Sequence, residues 1–221
     1  MFVYYYPVNE KKLEDRKQII IADRKGGVKH KLHEGVKPSE IASGDYANIY
    51  MFDNQIRFYP HFFNTIYSID SDRIVNVYHE LLFGKYSFPN NDFFEKFEGV
   101  RQVQNTIEAL YSGDKDWVSV FFAYETSNML LTKYYIKINT YVGGYNKISG
   151  DTFNFENSKF EDDLGIGGKF PLPICVYDNL FVGKVDAEDI DKSRVEDVKL
   201  RELVDDLSKE DNPILFFYSI K

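Results

Sequence analysis

The chain has one cysteine, Cys175, among 221 residues. That excludes an internal disulfide and any cysteine-rich metal site. Cys175 lies in the apolar run Pro173–Tyr177, so a buried, inert thiol is expected. No apolar run reaches the roughly 18 residues a transmembrane helix needs, and no membrane role is expected. Met1–Tyr6 lacks the basic and apolar regions of a signal peptide, so the sequence points to the cytoplasm, or to a host cytoplasm or virion if a virus encodes it. There is no Pro- or Ser-rich linker and no repeat at a fixed period. Residues 1–221 are therefore expected to form a single domain, with 140–169 as an irregular, protruding segment.

Positive charge is also scarce. The net charge is −8, carried as −1 over residues 1–110 and −7 over 111–221. An acidic chain is a poor general binder of nucleic acid, because phosphate contacts supply most of that affinity. The one locally basic stretch holds Lys17, Arg24, Lys25, Lys29 and Lys31. It is the candidate partner-binding element, for a protein surface, a second copy of the chain or, less favourably, nucleic acid. Exposed lysines also keep an edge strand from pairing with another sheet, which explains them without a partner.

Aromatic residues are abundant, with 19 Phe and 17 Tyr, and they favour strands and dense cores. Hairpins are predicted at Lys17–His33 around Lys25-Gly26-Gly27, at Ala47–Phe62 around Asp53-Asn54, at Trp117–Asn139 around Thr126-Ser127-Asn128, and at Leu172–Val185 around Asp178-Asn179. Ile74, Val77, Tyr78, Leu81 and Leu82 fall at helical spacing, which predicts a helix capped by Asp70 or Ser71 and stopped by Gly84. A second helix is predicted after Pro89, with Phe93, Phe97, Val100, Ile107 and Tyr111 inward and Gly113 at its end. A third is predicted over Ser193–Ser208. Trp117–Tyr124 is apolar on both faces, which predicts a strand in the middle of a sheet. The expected class is α+β: a mostly antiparallel sheet built from hairpins, with two central helices and one C-terminal helix packed on it.

The sharpest chemical candidate is Ile69-Asp70-Ser71-Asp72. Two carboxylates at this spacing can meet one hard cation, and Thr65–Asp72 resembles the metal-binding strand end of nucleotide-sugar-dependent glycosyltransferases. The βαβ pattern that such enzymes need is replaced here by hairpins, and helix capping explains Asp70 without a metal. Gly165-Ile166-Gly167-Gly168-Lys169 lacks the first glycine and the hydroxyl of a phosphate loop, so it reads as a turn. Glu125 with Glu161-Asp162-Asp163 would suit a hydrolase or nuclease, although acidic loops are commonly just solvated. His30, His33, His61 and His79 assemble no catalytic set from sequence alone.

No cofactor is implied. The sequence favours a non-enzymatic binding or structural protein, part of an assembly or an inhibitor-type partner. The Ala-poor composition suggests a phage or mobile-element source. The alternative is a divalent-metal-dependent transferase or hydrolase using Asp70 and Asp72.

Overall fold

The computed structural model describes residues 2–5, 17–23, 25–34, 49–59, 63–72, 74–89, 93, 96, 102–113, 115–157, 165, 170–208 and 211–220. Fourteen strands are defined among them: β1 Phe2–Tyr5, β2 Lys17–Ala22, β3 Val28–Glu34, β4 Ile49–Phe52, β5 Gln55–Phe58, β6 Thr65–Ile69, β7 Val75–Glu80, β8 Val118–Glu125, β9 Met129–Ile136, β10 Asn139–Asn146, β11 Thr152–Glu156, β12 Pro173–Tyr177, β13 Leu180–Val185 and β14 Ile214–Tyr218. Among the described residues, α-helices are bounded as α1 Gln102–Ser112 and the short α2 Val198–Asp205, and Phe93 is also helical. With 47% strand and 15% helix, the fold is β-rich, which overturns the expected α+β class with three packed helices.

The strands form four sheets in chain order: β1-β2-β3, β4-β5-β6-β7, β8-β9-β10-β11 and β12-β13-β14. Each is an up-and-down meander in which strands pair with their sequence neighbours, the connection used within a propeller blade. The expected hairpin turns form as read. Asp53 and Asn54 sit at φ 49° and 55°, and Asp178 and Asn179 at 48° and 62°, the paired left-handed residues that a two-residue hairpin requires.

A repeat is present after all, written in turn chemistry rather than in sequence spacing. Asp23 Oδ1 accepts the amides of Lys25 and Gly27 in the β2–β3 turn. Asp70 Oδ1 accepts those of Asp72 and Ile74 in the β6–β7 turn, and Asn146 Oδ1 those of Ile148 and Ser149 in the β10–β11 turn. One side-chain oxygen thus satisfies two orphan amides at the last turn of three successive sheets.

The helix predicted over Ile74–Leu82 is strand β7. Val75 and Val77 are β-branched and Tyr78 aromatic, all strand formers, and β7 pairs Ile69 with Val75 and Tyr67 with Val77. The helical stripe has nothing to bury against: Ile74, Val77 and Leu82 are exposed. Of the second predicted helix, the described part is Phe93, which is helical and buried as expected, and α1, where Leu110 rather than Tyr111 is inward. Residues 94, 95 and 97–101 lie outside the described residues. The third shrinks to α2, begun by Asp197, whose Oδ1 accepts the Leu200 amide. Val204 is buried there while Leu203 is exposed.

β8 is buried at Val118, Ser119, Phe121 and Ala123, as its two apolar faces require. Yet it stands at the end of its sheet, not in the middle. Burial on both faces fixes what covers a strand, not its rank in the sheet.

The chain divides into two compact units: Met1–Val120 with Tyr135–Ile138, and Phe121–Tyr134 with Asn139–Lys221. In the first, Ile21, Phe58 and Ile69 form a core joined by Ile49, Ile56, Tyr67 and Val75. In the second, Met129, Leu131, Val142, Phe170, Phe181 and Tyr218 cluster, and Val185, Ile190, Val195 and Val204 form a second group under α2. Segment 140–169 is partly regular: β10 and β11 pair through Tyr141–Tyr145 and Thr152–Glu156.

Candidate functional site

Sheet β4–β7 sorts its residues by register. Ile49, Phe58 and Tyr67 form one row, and Met51, Ile56, Ile69 and Val75 another; most of these make the core. Between these two rows runs Tyr50–Arg57–Ser68–Asn76, on the opposite face by the two-residue alternation of a strand. Phe52, Gln55, Tyr59 and Tyr78 extend that second face.

Arg57 is only 4% exposed. Its Nη1 donates to Gln55 Oε1 at 2.7 Å. Its guanidinium carbon lies 3.9 Å from the Tyr78 ring centroid and 6.0 Å from that of Phe52. Tyr50 and Tyr59 share its face of the sheet, with ring centroids 6.5 Å apart. Nε is buried with no hydrogen-bond partner, and no described carboxylate forms an ion pair with the side chain. A desolvated ion costs on the order of several kcal/mol. The cation–π contact returns about 2 kcal/mol and the one charged hydrogen bond about 1.5–3 kcal/mol, which leaves the unmade Nε bond uncompensated. The guanidinium edge formed by Nε and Nη2 grips a carboxylate through two parallel bonds. Nε, on that edge, has no partner here.

No sequence signal marks Arg57. An arginine alternating with Ile56 and Phe58 reads as the wet face of a strand, and only the tertiary structure closes that face with aromatic rings.

Of the candidates read from the sequence, Asp70 is engaged by its turn, with both amide bonds at 2.9 Å. Asp72 is exposed. Among the described residues no group of three His, Cys, Asp or Glu side chains is placed to hold a metal. Lys25 is exposed at its turn, and Arg24 lies outside the described residues. Lys17 pairs with Glu34 and Lys31 with Ile20, so the two lysines take register positions of opposite parity; for Lys17, Lys29 and Lys31 only the backbone is described. Glu125 is a buried ion-pair partner: Lys147 Nζ approaches its Oε1 at 2.6 Å and also donates to Thr126 O at 2.8 Å. Glu161–Asp163, Gly167–Lys169 and His61 lie outside the described residues. Cys175 is exposed, against the expected buried thiol, because its apolar neighbours Ile174 and Tyr177 are also on the outside of β12.

Two further groups have unusual surroundings. Lys133 lies over Phe122 and Tyr124, with Nζ 5.0 and 5.9 Å from their centroids, and burial lowers its pKa. Burial, and then the nearby Tyr124, push the Tyr218 phenol above its ordinary value, and its hydroxyl donates to Pro171 O at 2.7 Å.

A family model described as "Domain of unknown function (DUF4934)" matches residues 1–219. The chain belongs to the DUF4934 family. No curated protein matches it. This DUF4934 chain is similar to the crystal structure of a "Putative exported protein" (BF0058) from Bacteroides fragilis NCTC 9343, with a TM-score of 0.78 and 24% identity. The match covers 98% of this chain and 61% of that one, so the chain spans less than two thirds of its neighbour. At that identity the likeness speaks for a shared fold. It also corrects the cytoplasmic expectation, since the neighbour is described as a "Putative exported protein"; no comparison supports the phage or mobile-element source.

Proposed function

We propose that this chain is a non-enzymatic binding protein that works outside the cytoplasm. The observation that carries binding is Arg57: a buried guanidinium with an open edge, framed by aromatic rings on the face of β4–β7 opposite the core. Convergent polar groups among aromatic walls are what small-ligand sites are made of. Export is supported by the likeness to the Bacteroides protein. The metal-dependent alternative loses ground because the turn already occupies the Asp70 side chain.

Thermal melts of wild type and Arg57→Met against a panel of small anionic and neutral compounds test the binding reading. Stabilisation of the wild type that is lost in the variant supports it, since a ligand specific to the native state raises its stability. A panel that stabilises neither protein sinks it. Recovery of the protein only in the cytoplasmic fraction of its source cells would overturn the extracytoplasmic part.

One observation favours a second reading, self-association. Ile174, Tyr177, Leu215 and Phe217 are all at least half exposed on β12 and β14, and Tyr177 meets Phe217 edge-on at 6.4 Å. An apolar sheet face of this kind suits an isologous contact with a second copy. Sedimentation that shows a monomer at every concentration, for both wild type and Phe217→Asp, would remove that reading.

A further inference from the structure

We propose that Arg57 anchors a site for a monocarboxylate carried on a ring, a sugar acid or an aromatic acid. This rests on the binding reading above and names the ligand class for the same residues. Three observations converge on it.

The first is geometric. Nη1 is taken by Gln55 Oε1, whereas Nε has no partner. The unmade bond is therefore on the Nε side of the guanidinium, where the parallel N–H groups of Nε and Nη2 match the two oxygens of one carboxylate.

The second is charge. A single buried cation with no described carboxylate at its side is neutralised by one negative charge. A phosphate dianion would leave an excess charge buried, which is costly. A monocarboxylate fits the charge balance better.

The third is the frame. Tyr78 stacks on the guanidinium at 3.9 Å and Phe52 stands at 6.0 Å, and both rings are only half-buried. Rotation of either ring about its first side-chain torsion uncovers the guanidinium, and the displaced ring then offers a face to the body of the ligand. Asn76, exposed in the same row as Arg57 and Ser68, adds an amide at the rim for ligand hydroxyls.

The test is isothermal titration of wild type, Arg57→Gln and Tyr78→Leu with sodium benzoate and sodium glucuronate. Benzyl alcohol, glucose and inorganic phosphate serve as comparison ligands, all at matched ionic strength. The expected result is wild-type binding of at least one carboxylate, with affinity at least tenfold weaker in Arg57→Gln. A smaller loss is expected in Tyr78→Leu, which keeps the charge and covers the case in which Arg57→Gln fails to fold. Benzoate alone, glucuronate alone or both identify which ring the site takes. If phosphate, glucose or benzyl alcohol binds in an Arg57-dependent way and neither carboxylate does, the ligand class is wrong while the binding reading stands. If no compound binds the wild type, both fall.

Discussion

Among the described residues two charges of opposite sign are buried, and they are treated differently. Glu125, at the end of β8, has a fully buried side chain and is answered by Lys147 at 2.6 Å, whose ammonium also bonds Thr126 O. Arg57, in β5, is buried to nearly the same degree and is answered by two aromatic faces and one neutral amide. A pair closed by its own partner on a neighbouring hairpin turn is a clip that holds two connections together. A charge left with an open hydrogen-bonding edge is available to something from outside. On the proposed reading, the first is a structural ion and the second a binding one.

Breaking the closed pair gives the largest effect. Lys147→Met leaves Glu125 buried without its counter-ion, and chemical denaturation should show a loss of about 3–5 kcal/mol. A loss under about 1 kcal/mol would mean that the pair is no better matched than a surface one. Next comes Tyr218→Phe, which removes a satisfied buried hydrogen bond to Pro171 O at a cost of about 1–1.5 kcal/mol.

The same residue makes a pH prediction. Its phenol is raised in the folded state, so the folded protein keeps a proton that the unfolded chain releases near its ordinary value of about 10. The contribution is intact below about pH 10 and is lost as pH climbs beyond it toward the folded value. Wild-type stability measured between about pH 9 and 11 should fall more steeply than that of Tyr218→Phe. Equal slopes would show that another group governs the alkaline limb.

Asp70→Ala should cost about 1 kcal/mol, the usual worth of a side-chain cap that satisfies backbone amides. Millimolar Mg²⁺ or Mn²⁺ should not change the melting temperature of the wild type. A metal-dependent rise lost in Asp72→Asn would revive the metal site. The smallest effect is expected for Arg57→Met. Replacing an unpaired buried cation by an apolar side chain of similar length removes a desolvation cost along with a cation–π contact, so the net change should stay within about 1 kcal/mol. A loss comparable to that of Lys147→Met would make Arg57 a structural residue and blunt the contrast.

Much of the local architecture was legible. Turn residues name their own geometry, and Asp53-Asn54, Asp178-Asn179 and Lys25-Gly26-Gly27 formed the hairpins they announce. Periodicity misled where it was short. Ile74–Leu82 fits a helix as well as a strand, and pairing with β6 decided for the strand. The recurring turn of Asp23, Asp70 and Asn146 was hidden because the repeat keeps one side-chain role while the residues around it vary. Arg57 was invisible for a different reason. Whether an arginine on the polar face of a strand is wet or enclosed depends on residues of other strands, here Phe52 across its own hairpin and Tyr78 on β7.

The most direct test of the contrast observes the Arg57 side chain itself. In the wild-type protein, the Nε–H resonance of Arg57 should be slow to exchange with solvent and should move progressively as benzoate or glucuronate is added. The Lys147 ammonium, already held by Glu125, should not move. An Arg57 resonance that stays fixed through both titrations, or a Lys147 signal that shifts in parallel with it, would contradict the assignment of the one charge to binding and the other to structure.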